Sequence, residues 1–220
     1  MMRTIVLLAV AALLLPATSV ADILLDQQPD GTFSFIDQEL NGDPLSSFIV
    51  DDLTISSLSG MGVEVQRVTT YFNQVAPNDV ADFLALSNGF LNIIDNDGTL
   101  DTEVLPLTPV TISVSEISAG LFAISADVSV NLADGDYWIG LTPQGGVQGL
   151  HLTSTSTNGD QAHIRNPSGV LFPGWEGVSA FGQGSFDISI TVEGVEIVPE
   201  PSTATLLALG LAGMVVRRRR

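Results

Sequence analysis

Pro109-Val110-Thr111-Ile112-Ser113-Val114-Ser115 alternates without a break, with Val110, Ile112 and Val114 on one side and Thr111, Ser113 and Ser115 on the other. A period of two is the mark of a strand with one buried face. The same period returns near the end of the domain, where Phe186, Ile188, Ile190 and Val192 point inward from a strand over 186–197. Between and before these lie further β signals: Thr32 to Ile36, Phe48 to Ile55, Phe90 to Ile94, Leu121 to Val130 and Tyr137 to Leu141. Val63, Val65, Val68, Thr70 and Phe72 form another strand, but of mixed period. Turn signals separate them at Asn41-Gly42-Asp43-Pro44, Asn96-Asp97-Gly98, Ala119-Gly120 and Asp134-Gly135. One helix is expected, over Pro77 to Ser87, capped by Asn78 or Asp79 and burying Val80, Phe83, Leu84 and Leu86.

Many short strands, twenty-one glycines, eleven prolines and almost no helical period predict an all-β domain. The expected architecture is a two-sheet antiparallel β-sandwich of jelly-roll type. A parallel β-helix lacks the fixed-period repeat it needs.

The two ends differ from this domain. Arg3, the apolar run Ile5 to Leu15 and the small residues of Ser19-Val20-Ala21 read as a signal peptide over 1–21, cleaved by signal peptidase after Ala21. The mature domain is then 22–198. At the other end, Pro199, Glu200 and Pro201 form an extended spacer before an uncharged run containing Ala204, Leu206, Leu207, Leu209, Leu211, Met214, Val215 and Val216. Arg217, Arg218, Arg219 and Arg220 close the chain. The run from Ser202 to Val216 is shorter than the roughly 17 to 25 residues of an ordinary spanning helix. As a membrane anchor it needs snorkelling arginines or a thinned bilayer. The basic cluster orients it with the arginines in the cytoplasm and the domain outside.

This order of parts, a Pro-Glu-Pro spacer, an apolar helix and a basic end, resembles the PEP-CTERM sorting signal of exported bacterial proteins. The resemblance covers 198–220 and implies processing by an exosortase that recognises Pro199, Glu200 and Pro201. Two further stretches resemble the jelly-roll ectodomains common among such proteins. They are Ser47-Phe48-Ile49-Val50-Asp51-Asp52-Leu53-Thr54 and Leu132-Ala133-Asp134-Gly135-Asp136-Tyr137-Trp138-Ile139-Gly140-Leu141. The first departs from the usual pattern at Leu53, where an aromatic is expected.

Outside the two ends, Arg67 and Arg165 face 24 acidic residues, a net charge of −22, and lysine is absent. Such a surface repels nucleic acid, anionic lipid and acidic polysaccharide, and it favours divalent cations or neutral partners. Solubility of an extracellular protein explains the same acidity. With no cysteine, stability has to come from packing or bound cations.

Two candidate ligand sites stand out. Asp95, Asp97, Asp101 and Glu103 alternate around Gly98 and could wrap Ca2+ with oxygen ligands, although the spacing fails as an EF-hand and a hairpin turn is the favoured reading. Asp51 and Asp52 could add ligands or could be exposed edge charges. Trp175, in Pro173-Gly174-Trp175-Glu176-Gly177, is the candidate for stacking on a sugar ring, whereas Trp138 is expected to be buried. His151 and His163, the two histidines, are expected at polar loop positions with no catalytic role. The sequence therefore favours a non-enzymatic surface or extracellular-matrix protein. A carbohydrate-binding module acting on extracellular polysaccharide, and more remotely a secreted hydrolase, are the alternatives.

Overall fold

The computed structural model describes residues 21–30, 33–40, 45–74, 79–96, 100, 107–146, 149–154, 159–166, 168, 174–182 and 184–198. The expected signal helix and C-terminal helix lie outside these residues, as do the turn at 41–44 and most of the Asn96-Asp97-Gly98 turn.

The sequence period builds two antiparallel sheets. In the first, β1 (Asp22–Gln27), β14 (Ile190–Glu196), β4 (Val63–Gln74), β8 (Leu121–Leu132) and β7 (Ser113–Ser118) lie side by side. In the second, β3 (Phe48–Ile55), β9 (Gly135–Gln144), β5 (Asn88–Asp95) and β6 (Thr108–Thr111) do the same. The chain changes sheet from β3 to β4, from β4 to β5, from β6 to β7 and from β8 to β9. Each sheet therefore interleaves early and late strands, which is jelly-roll connectivity.

Between β9 and β14 the chain makes an excursion that extends both sheets. β10 (Gly149–Ser154) pairs with the end of β4, with β2 (Ser34–Ile36) and with β13 (Asp187–Ile188). β11 (His163–Arg165) and β12 (Glu176–Gly177) add to the second sheet beside β3, giving it six strands.

The mixed period of 63–72 has a structural cause. Val63 and Val65 face the core, a β-bulge between Val65 and Arg67 shifts the register against β8, and Val68, Thr70 and Phe72 then face it from even positions. One extra residue flips the phase of every side chain that follows. At the head of this strand Gly62 is required: its φ is +87°, and a Cβ there would lie 1.9 Å from the Leu132 carbonyl oxygen.

Side chains from both sheets fill the core, among them Ile49, Leu53, Val68, Phe72, Ile124, Ile139, Leu141, Ile190 and Val192. Of the expected helix, the described residues form α1 (Val80–Leu84): Phe83 is buried, Val80 and Leu86 pack partly buried against the core, Leu84 is exposed, and Pro77 and Asn78 lie outside the described residues. Phe83 closes one end of the sandwich against Phe72 and Phe122, with ring centroids 6.2 and 5.1 Å away. Asp79 occupies the cap position without a side-chain capping bond.

Candidate functional site

Among the described residues, two groups of buried polar side chains differ in how their hydrogen bonds are met. The first joins the β9–β14 excursion to the sandwich. His151 on β10 is fully buried and places Nδ1 2.7 Å from Asp37 Oδ2, while Nε2 faces the Ser189 carbonyl at 2.9 Å. A carbonyl only accepts, so Nε2 carries a hydrogen and a further proton lies between Nδ1 and Asp37. Asp37 also accepts from the Thr142 hydroxyl at 2.6 Å and the Ile49 amide at 3.2 Å. Burial raises the Asp37 pKa, and the bonds to His151 and Thr142 oppose that rise. Phe72 stacks on the imidazole at 4.7 Å. These contacts overturn the expectation that His151 is a loop residue: it ties β10, β14's approach and the β3 and β9 strands together.

Asp51 belongs to the same kind of interior. It lies fully buried on a strand flanked by β9 and β11, so it is no exposed edge charge. Its oxygens accept from the Ile188 and Asp52 amides at 2.8 and 3.0 Å. Burial, then the nearby Asp187 carboxylate, pushes its pKa well above the usual carboxylate range.

The second group covers the outer face of the six-stranded sheet. Phe48, Val50 and Trp138 are buried there, outside the core between the sheets. Ring contacts bind this layer: Phe48 to Phe90 at 6.3 Å, Trp138 to His163 at 4.8 Å. Among these rings stand polar atoms with no hydrogen-bond partner: both amide atoms of Asn92, Nε1 of Trp138, Nδ1 of His163, and Nε and Nη1 of Arg165. Asn92 is 0% exposed and Trp138 4%. Burial lowers the pKa of His163, which sits half-buried on β11, again a strand position and not a loop.

At one end of this face opens a cleft of about 400 Å3, lined by Asp52, Leu53, Thr54, Asn96, Asp136, Gly159 and Asp160. Asp52 stands directly opposite Trp138 in the β3–β9 register, and Asp136 opposite Thr54. The Thr54 hydroxyl donates to Asp136 at 2.7 Å. Asp52 is raised to about 6 by burial, then by Asp187 and Asp160, and its Oδ1 has no partner. Gly159, at φ +80°, lets the backbone reach Asp52: a Cβ there would come within 2.3 Å of Oδ2. The cleft thus carries one carboxylate that exchanges its proton near neutrality and a second held by a hydroxyl.

Of the predicted site residues, Asp95 is exposed at the end of β5, while Asp97, Asp101 and Glu103 lie outside the described residues. Among the described residues no group of three or more His, Asp or Glu side chains is arranged to hold a metal ion. Trp138 is buried as expected, but Trp175 is half-buried with Nε1 enclosed and unpartnered, so it is no exposed stacking platform. Asn92 was missed, although a signal existed. In Phe90-Leu91-Asn92-Ile93-Ile94 consecutive apolar residues mean that both faces of the strand are covered, and Asn92 is the one polar residue among them.

Pro199, Glu200, Pro201, the run from Ala204 to Val216 and the four arginines also lie outside the described residues. Among those described, no helix is long and apolar enough to cross a membrane. Residues 198–220 match the PEP-CTERM protein-sorting motif. That motif marks an exported protein of the cell envelope or surface, as the spacer, apolar run and arginines implied. No curated protein and no solved structure gives a significant match to the chain.

Proposed function

We propose that the chain is a non-enzymatic structural protein of the cell surface or extracellular matrix. Signal peptidase removes 1–21, the apolar run 204–216 holds the chain in the membrane for a time, and an exosortase processes the tail at its Pro-Glu-Pro spacer. The observation that carries this reading is the sorting motif at 198–220. The acidic, lysine-free domain suits it, since a net charge of −22 keeps an exported sandwich soluble.

The test is made in a bacterium that possesses an exosortase. Wild-type chain and a variant with Pro199, Glu200 and Pro201 replaced by alanine are expressed, and cell fractions are analysed by intact mass. Wild-type protein recovered from the surface or medium is expected to lack the arginine cluster, whereas the variant stays unprocessed in the membrane fraction. Equal processing of both, or retention of the tail in both, overturns the reading.

A further inference from the structure

Leu58 is fully exposed, yet the β3–β4 connection that carries it is braced from both sides. The Ser57 hydroxyl accepts from the Gly62 amide at 2.9 Å, and Asp134 Oδ1 accepts from the Ser57 amide at 2.9 Å. The Ser59 hydroxyl accepts from the Met61 amide at 3.2 Å and donates to the Ile197 carbonyl at 2.8 Å, while Glu196 Oε1 accepts from the Ser59 amide. Ile197 in turn donates its own amide to the Gly62 carbonyl at 3.0 Å. The loop is thus tied to the end of β14, and the chain leaves the domain beside it. Met61 and Val198, 47% and 68% exposed, are each one residue from these bonds. Single exposed apolar side chains are ordinary on a protein surface, but that does not explain three brought together where the chain leaves. No residue of 56–62 is charged, and Glu196 and Asp134 each turn a carboxylate oxygen to the loop's backbone.

The inference rests on the reading above, in which 204–216 lies in the membrane. From Val198 to Ala204 the chain can reach at most about 22 Å, even fully extended. As a helix, 204–216 rises only about 20 Å against a hydrocarbon core of about 30 Å, so part of the spacer is drawn in or the bilayer thins. The end of the domain that carries Leu58 is therefore held at the lipid surface. The opposite end is not. β4 runs about 33 Å from Val63, which pairs with Glu196 at the exit, to Asn73, which pairs with Leu121 where β7 turns into β8.

We propose that Leu58 and Met61, with Val198, dock into the headgroup region of a zwitterionic bilayer while the chain is anchored. Apolar side chains held at a membrane surface bury themselves at the boundary between headgroups and acyl chains. The surface is zwitterionic because two arginines against 24 acids make the domain repel anionic lipid. Since the hydrogen bonds above already fix the loop, docking costs it little further ordering. Docked in this way, the domain holds Pro199, Glu200 and Pro201 beside the bilayer.

The chain contains no cysteine, so one introduced thiol takes one label. Full-length Leu58→Cys, Ile117→Cys and Leu209→Cys variants, each carrying a nitrobenzoxadiazole dye, are reconstituted in phosphatidylcholine nanodiscs containing lipid spin-labelled near the top or near the end of its acyl chain. Ile117, 53% exposed on β7 at the far end, controls for any affinity of the dye itself for lipid. The shallow spin label is expected to quench position 58 at least threefold more than position 117, and the deep one to quench position 209. Met61→Asp in the Leu58→Cys chain is expected to lower the quenching at 58 at least twofold. Quenching at 209 with equal quenching at 58 and 117 overturns the proposal and leaves the anchor standing, whereas no quenching at 209 overturns both. Undiminished quenching at 58 in Met61→Asp overturns the proposal. So does a dye at 58 that shifts to shorter wavelength without being quenched, since it has then met a second copy of the chain.

Discussion

His151 and Arg165 sit 14 positions apart on the same excursion, on strands that extend opposite sheets, yet their surroundings are inverted. Every polar atom around His151 is answered: Asp37, Thr142, Ile49 and Ser189 close the network at 2.6 to 3.2 Å. Around Arg165, Trp138 and Asn92 the atoms are enclosed but unanswered. The fold can evidently satisfy a buried charge when it serves architecture. A second group left unmet in the same molecule therefore carries a desolvation cost that the first group avoids. Completed networks rigidify and specify a structure, whereas incomplete ones bear the cost of their unpaired buried groups.

The largest effect is expected at the completed network. Asp37→Ala strips a buried partner from His151 and leaves Thr142 and the Ile49 amide without an acceptor, so a loss of about 3–5 kcal/mol is expected in chemical denaturation. A loss under about 1 kcal/mol would erase the contrast.

A second effect comes from pH. Asp52 at about 6 and Asp51, pushed well above the usual carboxylate range, bind protons in the folded state at pH values where the unfolded chain, near 3.8, has released them. Stability is therefore expected to fall as pH rises from about 4 through 6. Because Asp52 is partly exposed, Asp52→Asn should recover only about 1 kcal/mol of this at pH 7 once solvent screening is allowed for. Thermal midpoints across this range check the sign, and a midpoint that climbs with pH contradicts it.

The smallest effect belongs to the surface. Arg67→Ala breaks an ion pair whose side chains are 47% and 77% exposed, and its expected cost is about 0.5 kcal/mol or less. A cost as large as that of Asp37→Ala would mean that bonding geometry, not burial, governs these charges.

The difference between the two regions also separates what was legible in the sequence from what was not. Alternation reads local burial, so Ile188, Ile190 and Val192 were rightly placed inward and repeated turns announced a sandwich, but the single strand expected over 186–197 is split at Ser189 into β13 and β14, and Phe186 lies outside both. The bulge after Val65 showed only as a broken period, because the extra residue becomes visible when β8 supplies the register. His151 looked like a loop residue since its partner Asp37 is 114 positions away, and no local pattern records such a pairing. The six-stranded sheet's outer face was half legible: the apolar runs around Val50 and Asn92 signalled cover on both sides, but which polar atoms stay unmet depends on side-chain packing. The tail, by contrast, is read as linear sequence, and its residues 198–220 needed no fold to be recognised.

The contrast between the two buried groups is tested most directly by equilibrium denaturation of His151→Leu and Asn92→Leu beside wild type. His151→Leu leaves the Asp37 carboxylate stranded and is expected to lose about 3 kcal/mol or more. Asn92→Leu replaces an amide that has no bond to lose, and it is expected to be neutral or more stable than wild type. A strongly destabilised Asn92→Leu beside a near-neutral His151→Leu would contradict the contrast between the satisfied His151 network and the unpaired Asn92 amide.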